Sequence, residues 1–300
     1  MNFNSVGYKK KKITFYYSKE FWTRPIHENR IDYFMDGFSD RYICEKVHYY
    51  TDYEKTDYIV IHGWKKVYYP GQYREYLIDT HNNLDTTIVL ENCYLYANPD
   101  KRSNTSIGIG GFNGTGKYNN DNSPSDRFDM LGIEIKQYDW IKNDKILLVG
   151  QSLHDAHLYR VDFQKWISDI YSELRLYTDR PIYFRPHPKH LGNKNSIQLP
   201  EGCKVSDHTI KIYDELKSCY AVVSYNSNVG MECILAGIPI FSFNEFSSAY
   251  RLSYHDLSQI ENLSNYNEQD RLQWLYNLAY SQWTLDEMKR GLPHKQLGLI

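Results

Sequence analysis

The 300-residue chain lacks the signatures of several protein classes. Its five cysteines form no C-x-x-C pair, so neither a zinc ribbon nor a redox-active dithiol is predicted, and their odd number does not suit a disulfide framework. No apolar run approaches the roughly 20 residues that a membrane-spanning helix needs. An apolar signal segment is also lacking, because the Lys9–Lys12 run leads directly into a strand-like segment. A reduced, cytoplasmic protein is the simplest expectation.

Excess charge and metal motifs are lacking too. The net charge is −2, so no positive field of the whole molecule draws it to nucleic acid. Neither an H-E-x-x-H nor a D-x-D motif occurs, and we expect no catalytic metal and no cofactor. What is present is the balance of a globular enzyme, with 41% hydrophobic and 24% charged residues. The 29 tyrosines are unusual and suit amphipathic surfaces, including one that stacks on bases or sugars.

The two halves of the chain differ in pattern. From Lys145 to Phe243, strand and helix patterns alternate, which predicts an α/β fold with a parallel, doubly wound sheet. The first half mixes shorter patterns, and its tract 98–124, rich in Gly, Asn and Ser, is predicted to be a long, mobile loop that is either functional or disordered. The predicted domain boundary lies between residues 143 and 144. Other predicted elements are strands at 12–17, 58–62, 87–90, 145–149 and 181–185, and helices at 73–80, 162–177, 210–217, 267–280 and 283–290.

The segment AVVSYNSNVGMECILAGIPIFSF (Ala221–Phe243) predicts a strand, a polar turn, a helix and a second strand. Such a unit places the free N–H groups of a helix N-terminus at the carboxyl end of a parallel strand, where phosphate binds. Glu232, one turn into the helix, is placed to accept hydrogen bonds from a ribose. The alternative is an ordinary βαβ repeat whose Ser and Asn residues only cap the helix.

A second candidate anion site is RPHPK (Arg185–Lys189). Its two prolines hold the chain extended, so that Arg185, His187 and Lys189 are presented at a strand end. Three potential cations in five residues suit a diphosphate, and arginine adds bidentate geometry. The alternative is a surface turn with solvated charges.

Four residues are candidates for a general base. His62 ends the apolar strand YIVIH, and a histidine there is poised near neutral pH. Asp121, Asp126 and Asp129 surround the Gly/Asn tract and are rival candidates. The alternatives are a packing role for His62 and a helix cap with an ion pair at Asp126 and Arg127.

RPHPK and SYNSNVGMECILAGIPIF (Ser224–Phe241) resemble the donor-site motifs of GT-B nucleotide-sugar glycosyltransferases. They are similar in particular to those of bacterial capsule polysaccharide synthesis transferases and their bacteriophage, DNA-modifying relatives. The phage proteins also look similar over Gly110–Gly132 and Ser281–Gly291. The resemblance implies two Rossmann-like domains that face each other across a cleft. The first is an acceptor domain (1–143) and the second a nucleotide-sugar donor domain (144–280). A C-terminal helix (281–300) follows them and returns to the first domain.

Carried over residue by residue, the resemblance implies roles in donor binding. Arg185, His187 and Lys189 face the diphosphate, Ser227 and Asn228 bind phosphate, and Glu232 holds the ribose. Tyr225 and Gly230 depart from the smaller hydroxyl residue and the alanine expected there, which leaves the nucleotide open. The full set of expected donor contacts is Gln151, Arg185, His187, Lys189, Ser224, Asn226, Ser227, Asn228 and Glu232.

The expected reaction is transfer of a sugar from a nucleoside diphosphate sugar, as co-substrate, to a hydroxyl acceptor, without a metal. A phage origin, and hence a host cytoplasm, favours a 5-hydroxymethylated pyrimidine in double-stranded DNA, which the enzyme extrudes. The alternatives are a capsule or cell-surface glycan as acceptor and, from other classes, a nucleotide-sugar epimerase or a non-catalytic binder. Expected acceptor contacts are Trp64, Lys65, Lys66, Lys117 and Arg127, with Lys9–Lys12, Lys101 and Arg102 as further cations for DNA phosphates.

Overall fold

The computed structural model describes residues 10–17, 25–38, 42–65, 71–96, 104–152, 158, 160–188 and 197–300. Within these residues the strands form a six-stranded and a five-stranded sheet. The strands are β1 (Lys11–Tyr17), β2 (Tyr42–His48), β3 (Tyr58–His62), β4 (Thr87–Asn92), β5 (Thr105–Ile109), β6 (Lys145–Val149), β7 (Ile182–Arg185), β8 (Lys204–Val205), β9 (Cys219–Ser224), β10 (Ile240–Ser242) and β11 (Gln282–Trp283). The helices are α1 (Pro25–Asp36), α2 (Gly71–His81), α3 (Asp126–Leu131), α4 (Phe163–Tyr177), α5 (Ile212–Leu216), α6 (Val229–Ala236), α7 (Glu268–Ala279), α8 (Leu285–Lys289) and α9 (Leu292–Gln296).

The first sheet has the order β11-β5-β4-β3-β1-β2. Strands β1 to β4 are parallel, while β5 runs antiparallel to both β4 and β11. Its central strands are apolar on both faces because α1 covers one face and α2 the other. On β1, Phe15 packs with Phe34 of α1, and the next residue, Tyr16, lies in the same cluster as Leu77 of α2.

The second sheet, β10-β9-β6-β7-β8, is parallel throughout. Within this sheet the chain first forms the central strand β6, then β7 and β8 on one side of it, and then β9 and β10 on the other side. The topological switch point therefore lies between β6 and β9, where the crevice of a doubly wound sheet binds its ligand. The predicted fold class, two Rossmann-like α/β domains of the GT-B type, is confirmed.

The prediction of one long loop over the 98–124 tract is wrong for its middle. Thr105–Ile109 forms the buried strand β5 between β4 and β11. Gly108 is needed there, because a Cβ would lie 3.0 Å from the Tyr118 ring and 2.9 Å from the Gly111 carbonyl oxygen. Glycine thus allows close packing at this position and does not mark a mobile loop.

The C-terminal segment packs on the first sheet. The predicted helix 283–290 begins later than expected, because Gln282 and Trp283 pair with β5 and α8 starts at Leu285. α8 contacts α1, and the buried His294 of α9 hydrogen-bonds through Nε2 to the Phe34 carbonyl oxygen at 2.8 Å. The three domain ranges themselves stay predictions. In the described part of the chain, no helix has both the length and the apolar character to cross a membrane.

Candidate functional site

The carboxyl ends of β6 and β9 hold three buried polar side chains. Val149 and Ser224 are paired in register, so Gln151, just past β6, and Asn226, just past β9, leave the sheet at neighbouring positions. Gln151 is 4%, Ser224 0% and Asn226 6% exposed. Within the residues that the structure describes, the Gln151 Oε1, the Ser224 Oγ and both amide atoms of Asn226 have no hydrogen-bond partner.

Such groups are costly, because a buried polar atom without a partner loses about 1–3 kcal/mol relative to its hydrated state. Proteins rarely keep them without a reason. Four such atoms lie at the switch point, where a doubly wound sheet binds its ligand, while others in the described residues, such as Thr105 Oγ1 and Ser106 Oγ, lie elsewhere. A polar ligand bound at this edge of the sheet would supply the hydrogen bonds that these side chains lack.

The start of α6 is held from both domains. The Ser227 hydroxyl accepts a hydrogen bond from the Val229 N–H at 3.3 Å, which closes a serine turn at the entry to α6. The Asn228 Nδ2 donates to the Tyr96 hydroxyl at 2.9 Å. Because Tyr96 follows β4 of the first sheet, this bond brings the carboxyl edges of the two sheets to face each other.

Glu232 lies on α6, where the βαβ pattern predicts it, and its side chain is half-buried. Burial, and then the charge of Glu232, raises the pKa of the Tyr213 hydroxyl. Tyr213 belongs to α5, which packs on α6. Sequence analysis did not identify Tyr213, since a tyrosine on a short helix among 29 carries no distinguishing signal.

The RPHPK segment differs from its prediction. The Arg185 guanidinium forms an ion pair with the buried Glu215 and donates to the Ile210 carbonyl oxygen at 2.8 Å. The Lys145 Nζ lies 2.5 Å from the same carboxylate, and the Ser206 hydroxyl also donates to it. Burial raises the pKa of Glu215, but these hydrogen bonds and charges prevail and lower it.

Arg185 is therefore already committed to Glu215 and is not presented freely at the strand end. A diphosphate contact requires Arg185 to leave a carboxylate that is buried. His187 is half-buried, and its backbone nitrogen approaches Gly150, where a Cβ would lie 3.2 Å from it. Lys189 lies outside the described residues. The roles of these three residues in donor binding stay predictions.

His62, at the carboxyl end of β3, is buried against an arginine that the sequence analysis missed. The Arg30 Nη1 lies 3.3 Å from the His62 Nε2 and 2.9 Å from the Asn92 Oδ1. A guanidinium has no acceptor, so Nε2 accepts the hydrogen bond and the imidazole is neutral in this contact. Burial lowers the pKa of Arg30, although the charge of Glu91 opposes the shift.

Arg30 has one signal in the sequence. It occupies a four-residue spacing with Ile26 and Phe34, so a cation stands in an otherwise apolar helical stripe. In the structure it is almost completely buried. It fixes His62 from the helix side, with its second nitrogen, Nη2, 3.3 Å from the Asn104 carbonyl oxygen.

The rival aspartates belong to a different neighbourhood, around α3 and α7. The Asp126 Oδ1 accepts from the Tyr280 hydroxyl at 2.8 Å, and the Asp129 Oδ2 accepts from the Ser125 hydroxyl at 2.7 Å. Asp121 is exposed in the turn before α3. Arg127 forms an ion pair with Glu287 at 2.6 Å, so it anchors the C-terminal segment. Base chemistry at these aspartates and acceptor binding by Arg127 stay predictions.

Three of the lysines predicted to meet DNA, at positions 12, 65 and 117, are paired with carboxylates, whereas the exposed Lys11 lies over the Tyr58 ring. The Lys65 Nζ lies 2.6 Å from Asp79, and the Lys117 Nζ lies 2.5 Å from Asp85. The Lys12 Nζ lies 2.7 Å from Glu45 and 3.3 Å from Glu54. Lys9, Lys66, Lys101 and Arg102 lie outside the described residues.

Trp64, also predicted to bind the acceptor, packs in an aromatic contact between the domains. Its ring centroid lies 5.7 Å from that of Phe112 and 6.4 Å from that of Phe246. The backbone joins this contact, since the Gly114 N–H donates to the Phe246 carbonyl oxygen at 3.2 Å. Within the residues that the structure describes, no cluster of three His, Cys, Asp or Glu side chains could hold a metal ion, and metal independence stays a prediction.

No protein-family model and no curated protein sequence matches the chain. Among solved structures, it is similar to KpsC, beta Kdo 2,4 transferase, of Thermosulfurimonas dismutans, with 14% identity, a TM-score of 0.55 and 91% of each chain covered. KpsC, beta Kdo 2,7 transferase, of the same organism matches at 12% identity over 95% of this chain and 98% of that chain, with a TM-score of 0.46. The first likeness shows a shared fold, while the second is too distant to add an argument.

Proposed function

We propose that the chain is a glycosyltransferase that moves a sugar from a nucleoside diphosphate sugar to a hydroxyl group of a saccharide. The observation that carries this proposal is the set of buried, unpartnered groups of Gln151, Ser224 and Asn226 at the switch point. Nearby, Asn228 at the start of α6 donates to the hydroxyl of Tyr96, which follows β4 of the first sheet, and this contact supports a site between the two sheets. The structurally similar protein named as a beta Kdo 2,4 transferase supports sugar transfer as the chemistry.

In the proposed donor site, the phosphates are bound by charge, and the sugar and nucleoside are bound by hydrogen bonds. The N-terminus of α6 carries a partial positive charge that suits the phosphates. Gln151, Ser224 and Asn226 offer neutral donors and acceptors to sugar or nucleoside groups, and Glu232 accepts from ribose hydroxyls. In the reaction, the acceptor oxygen bonds to the anomeric carbon, the bond from that carbon to the phosphate oxygen breaks, and the nucleoside diphosphate leaves.

The acceptor proton passes to a base of the first domain. His62 lies at the correct sheet edge, but its Nε2 accepts from Arg30 in the described geometry. Because Nε2 accepts from Arg30, Nδ1 carries the proton of the neutral ring, so His62 takes up a further proton only if Arg30 withdraws. Asp121, Asp126 and Asp129 are the rival bases. Comparing the pH dependence of activity in the wild type and in His62→Gln distinguishes a histidine base from an aspartate base. Only a histidine base gives an activity change near neutral pH that the variant loses.

A saccharide acceptor fits the described charges better than DNA does. DNA binding draws its affinity from cations that replace the counterions of phosphates. Lys65 and Lys117 are instead held by Asp79 and Asp85. The 5-hydroxymethylated pyrimidine of phage DNA is the second candidate, and it rests on the resemblance over Gly110–Gly132 and Ser281–Gly291.

The test is incubation with a panel of nucleotide sugars, with and without candidate acceptors, followed by mass spectrometry. A transferase yields a glycosylated product only when donor and acceptor are both present. An epimerase converts the nucleotide sugar with no acceptor, and a non-catalytic binder neither converts nor hydrolyses it. Either of these last two outcomes contradicts the proposal.

A further inference from the structure

Tyr73, in the first turn of α2, is the centre of a tyrosine cluster that the proposed chemistry leaves unused. Its ring centroid lies 5.0 Å from that of Tyr50, 5.2 Å from that of Tyr49 and 5.6 Å from that of Tyr76. Tyr49 is buried, whereas Tyr50 is 48% and Tyr76 42% exposed. Tyr50, Tyr73 and Tyr76, here named the tyrosine platform, thus form an aromatic surface on a buried base.

Tyr50 is held on this surface by an unfavourable backbone conformation. Its φ is 75°, in the left-handed region that bulky side chains rarely adopt and that costs roughly 1–2 kcal/mol. Glycine or asparagine fits such a position with less strain. Strain of this kind is concentrated at binding sites, because the surrounding structure must enforce it.

The platform lies at the same sheet edge as His62. The Tyr49 N–H donates to the Tyr17 carbonyl oxygen at 2.7 Å, just past the carboxyl ends of β1 and β2. In the sheet order β2 is two strands from β3, which His62 ends. Two strand spacings are about 10 Å. A short oligosaccharide with one end at His62 therefore reaches the platform.

The loop beside the platform is acidic. The loop between β2 and β3 carries Asp52, Glu54 and Asp57 against one cation within it, Lys55. Of the neighbouring cations, Lys12 is paired with Glu54, and the buried Arg74 donates from Nε to the Tyr49 hydroxyl at 3.3 Å. Burial, the neighbouring tyrosines and Asp52 together raise the pKa of the Tyr73 hydroxyl to about 12. The acidic side chains of this loop disfavour phosphates but not an uncharged sugar.

We propose that the tyrosine platform binds the uncharged sugar rings of an extended saccharide acceptor, remote from the hydroxyl that reacts. The ring faces pack against the C–H surfaces of the sugar rings, and the phenol hydroxyls bond to sugar hydroxyls. The platform thus makes the acceptor an oligosaccharide chain and not a single sugar. This inference rests on the proposed function, since it assigns the acceptor of the same reaction.

The test measures binding to an array of uncharged and acidic bacterial oligosaccharides and to duplex DNA. Tyr50→Asn removes the exposed ring and relieves the backbone strain, so its melting temperature should equal or exceed that of the wild type. Tyr50→Asn and Tyr76→Ala should each weaken oligosaccharide binding by roughly tenfold. Tyr50→Phe should retain most of it. The matched control is Tyr177→Ala, which removes a tyrosine that is 42% exposed at the end of α4.

Calorimetry with nucleotide sugars on the same proteins separates this inference from the proposed function. Unchanged oligosaccharide binding in Tyr50→Asn and Tyr76→Ala, with intact nucleotide binding, overturns the platform alone. So does a wild type that binds nucleotide sugars but no array member, or duplex DNA binding that Tyr50→Asn abolishes. Failure of the wild type to bind any nucleotide sugar contradicts the proposed function instead. Platform-dependent oligosaccharide binding in that case still supports a saccharide surface.

Discussion

At the scale of single residues, Asn226 is the side chain whose burial without partners we attribute to ligand recognition. It is buried, and neither its amide nitrogen nor its amide oxygen has a partner in the part of the chain that the structure describes. Asn226→Ala removes both unsatisfied groups, so the free energy of unfolding should stay equal or rise by about 1 kcal/mol. Nucleotide-sugar affinity should fall by roughly tenfold, since the ligand loses the hydrogen bonds of the amide. Thermal unfolding and calorimetry measure the two effects.

Asn277→Ala is the matched control for that variant. Asn277 is also buried, but its Oδ1 accepts from the Ser123 N–H at 3.0 Å and from the Gln273 amide at 2.9 Å. Its loss should lower stability and leave nucleotide affinity unchanged. If Asn226→Ala behaves like Asn277→Ala, Asn226 has a structural role and not a recognition role.

Sequence patterns single out the residues of the proposed donor site but do not predict their hydrogen-bonding state. Gln151 and Asn226 were predicted because each follows a strand end, which is a local property. The absence of a partner depends on the whole fold. Arg185 shows the same limit, because Glu215 is 30 residues away and only the sheet order brings the two together. Arg30 was overlooked because α1 was not predicted.

At the scale of elements, the docking of α9 on α1 depends on a neutral histidine. The His294 ring stacks on Phe34 with centroids 4.3 Å apart, and burial lowers the pKa of His294 to about 4 from its ordinary 6.5. The folded-state pKa lies below the unfolded value, so this stabilisation is complete above pH 6.5 and is lost as the pH falls towards 4. The maximal loss is roughly 3 kcal/mol.

Denaturant unfolding between pH 7.5 and pH 4 checks this expectation. His294→Gln keeps a donor for the Phe34 carbonyl oxygen but cannot titrate, so its stability should decline less over that range. The exposed His208 provides the matched control as His208→Gln. Equal pH profiles for the wild type and His294→Gln would show that α9 docking is independent of this proton.

Element prediction succeeded where burial alone determines the strand. β3 and β6 are continuous apolar runs because helices cover both sheet faces, and the predicted bounds are those observed. β5 (TSIGI) has small polar residues and a glycine, and it is a strand because β4 and β11 flank it. β11 comes from residues 282–283, so no local pattern reveals that pairing.

At the scale of the molecule, the pairing of the lysines predicts weak attraction to nucleic acid. Net charge is −2, and the lysines at positions 12, 65 and 117 are ion-paired. We expect the protein to leave a duplex DNA column by about 0.15 M salt, because few phosphates are neutralised. Retention well above that concentration, with a steep salt dependence, would restore modified DNA as the favoured acceptor.

The activity proposed for this protein is sugar transfer at the switch point of the second sheet. The most direct measurement is mass spectrometry of the wild type and Asn226→Ala with a nucleotide-sugar panel and an oligosaccharide acceptor. We predict a glycosylated acceptor and a released nucleoside diphosphate with the wild type, and a rate at limiting donor reduced by roughly tenfold with Asn226→Ala. Transfer that is equally fast in both proteins, or conversion of the donor with no acceptor present, would contradict the account.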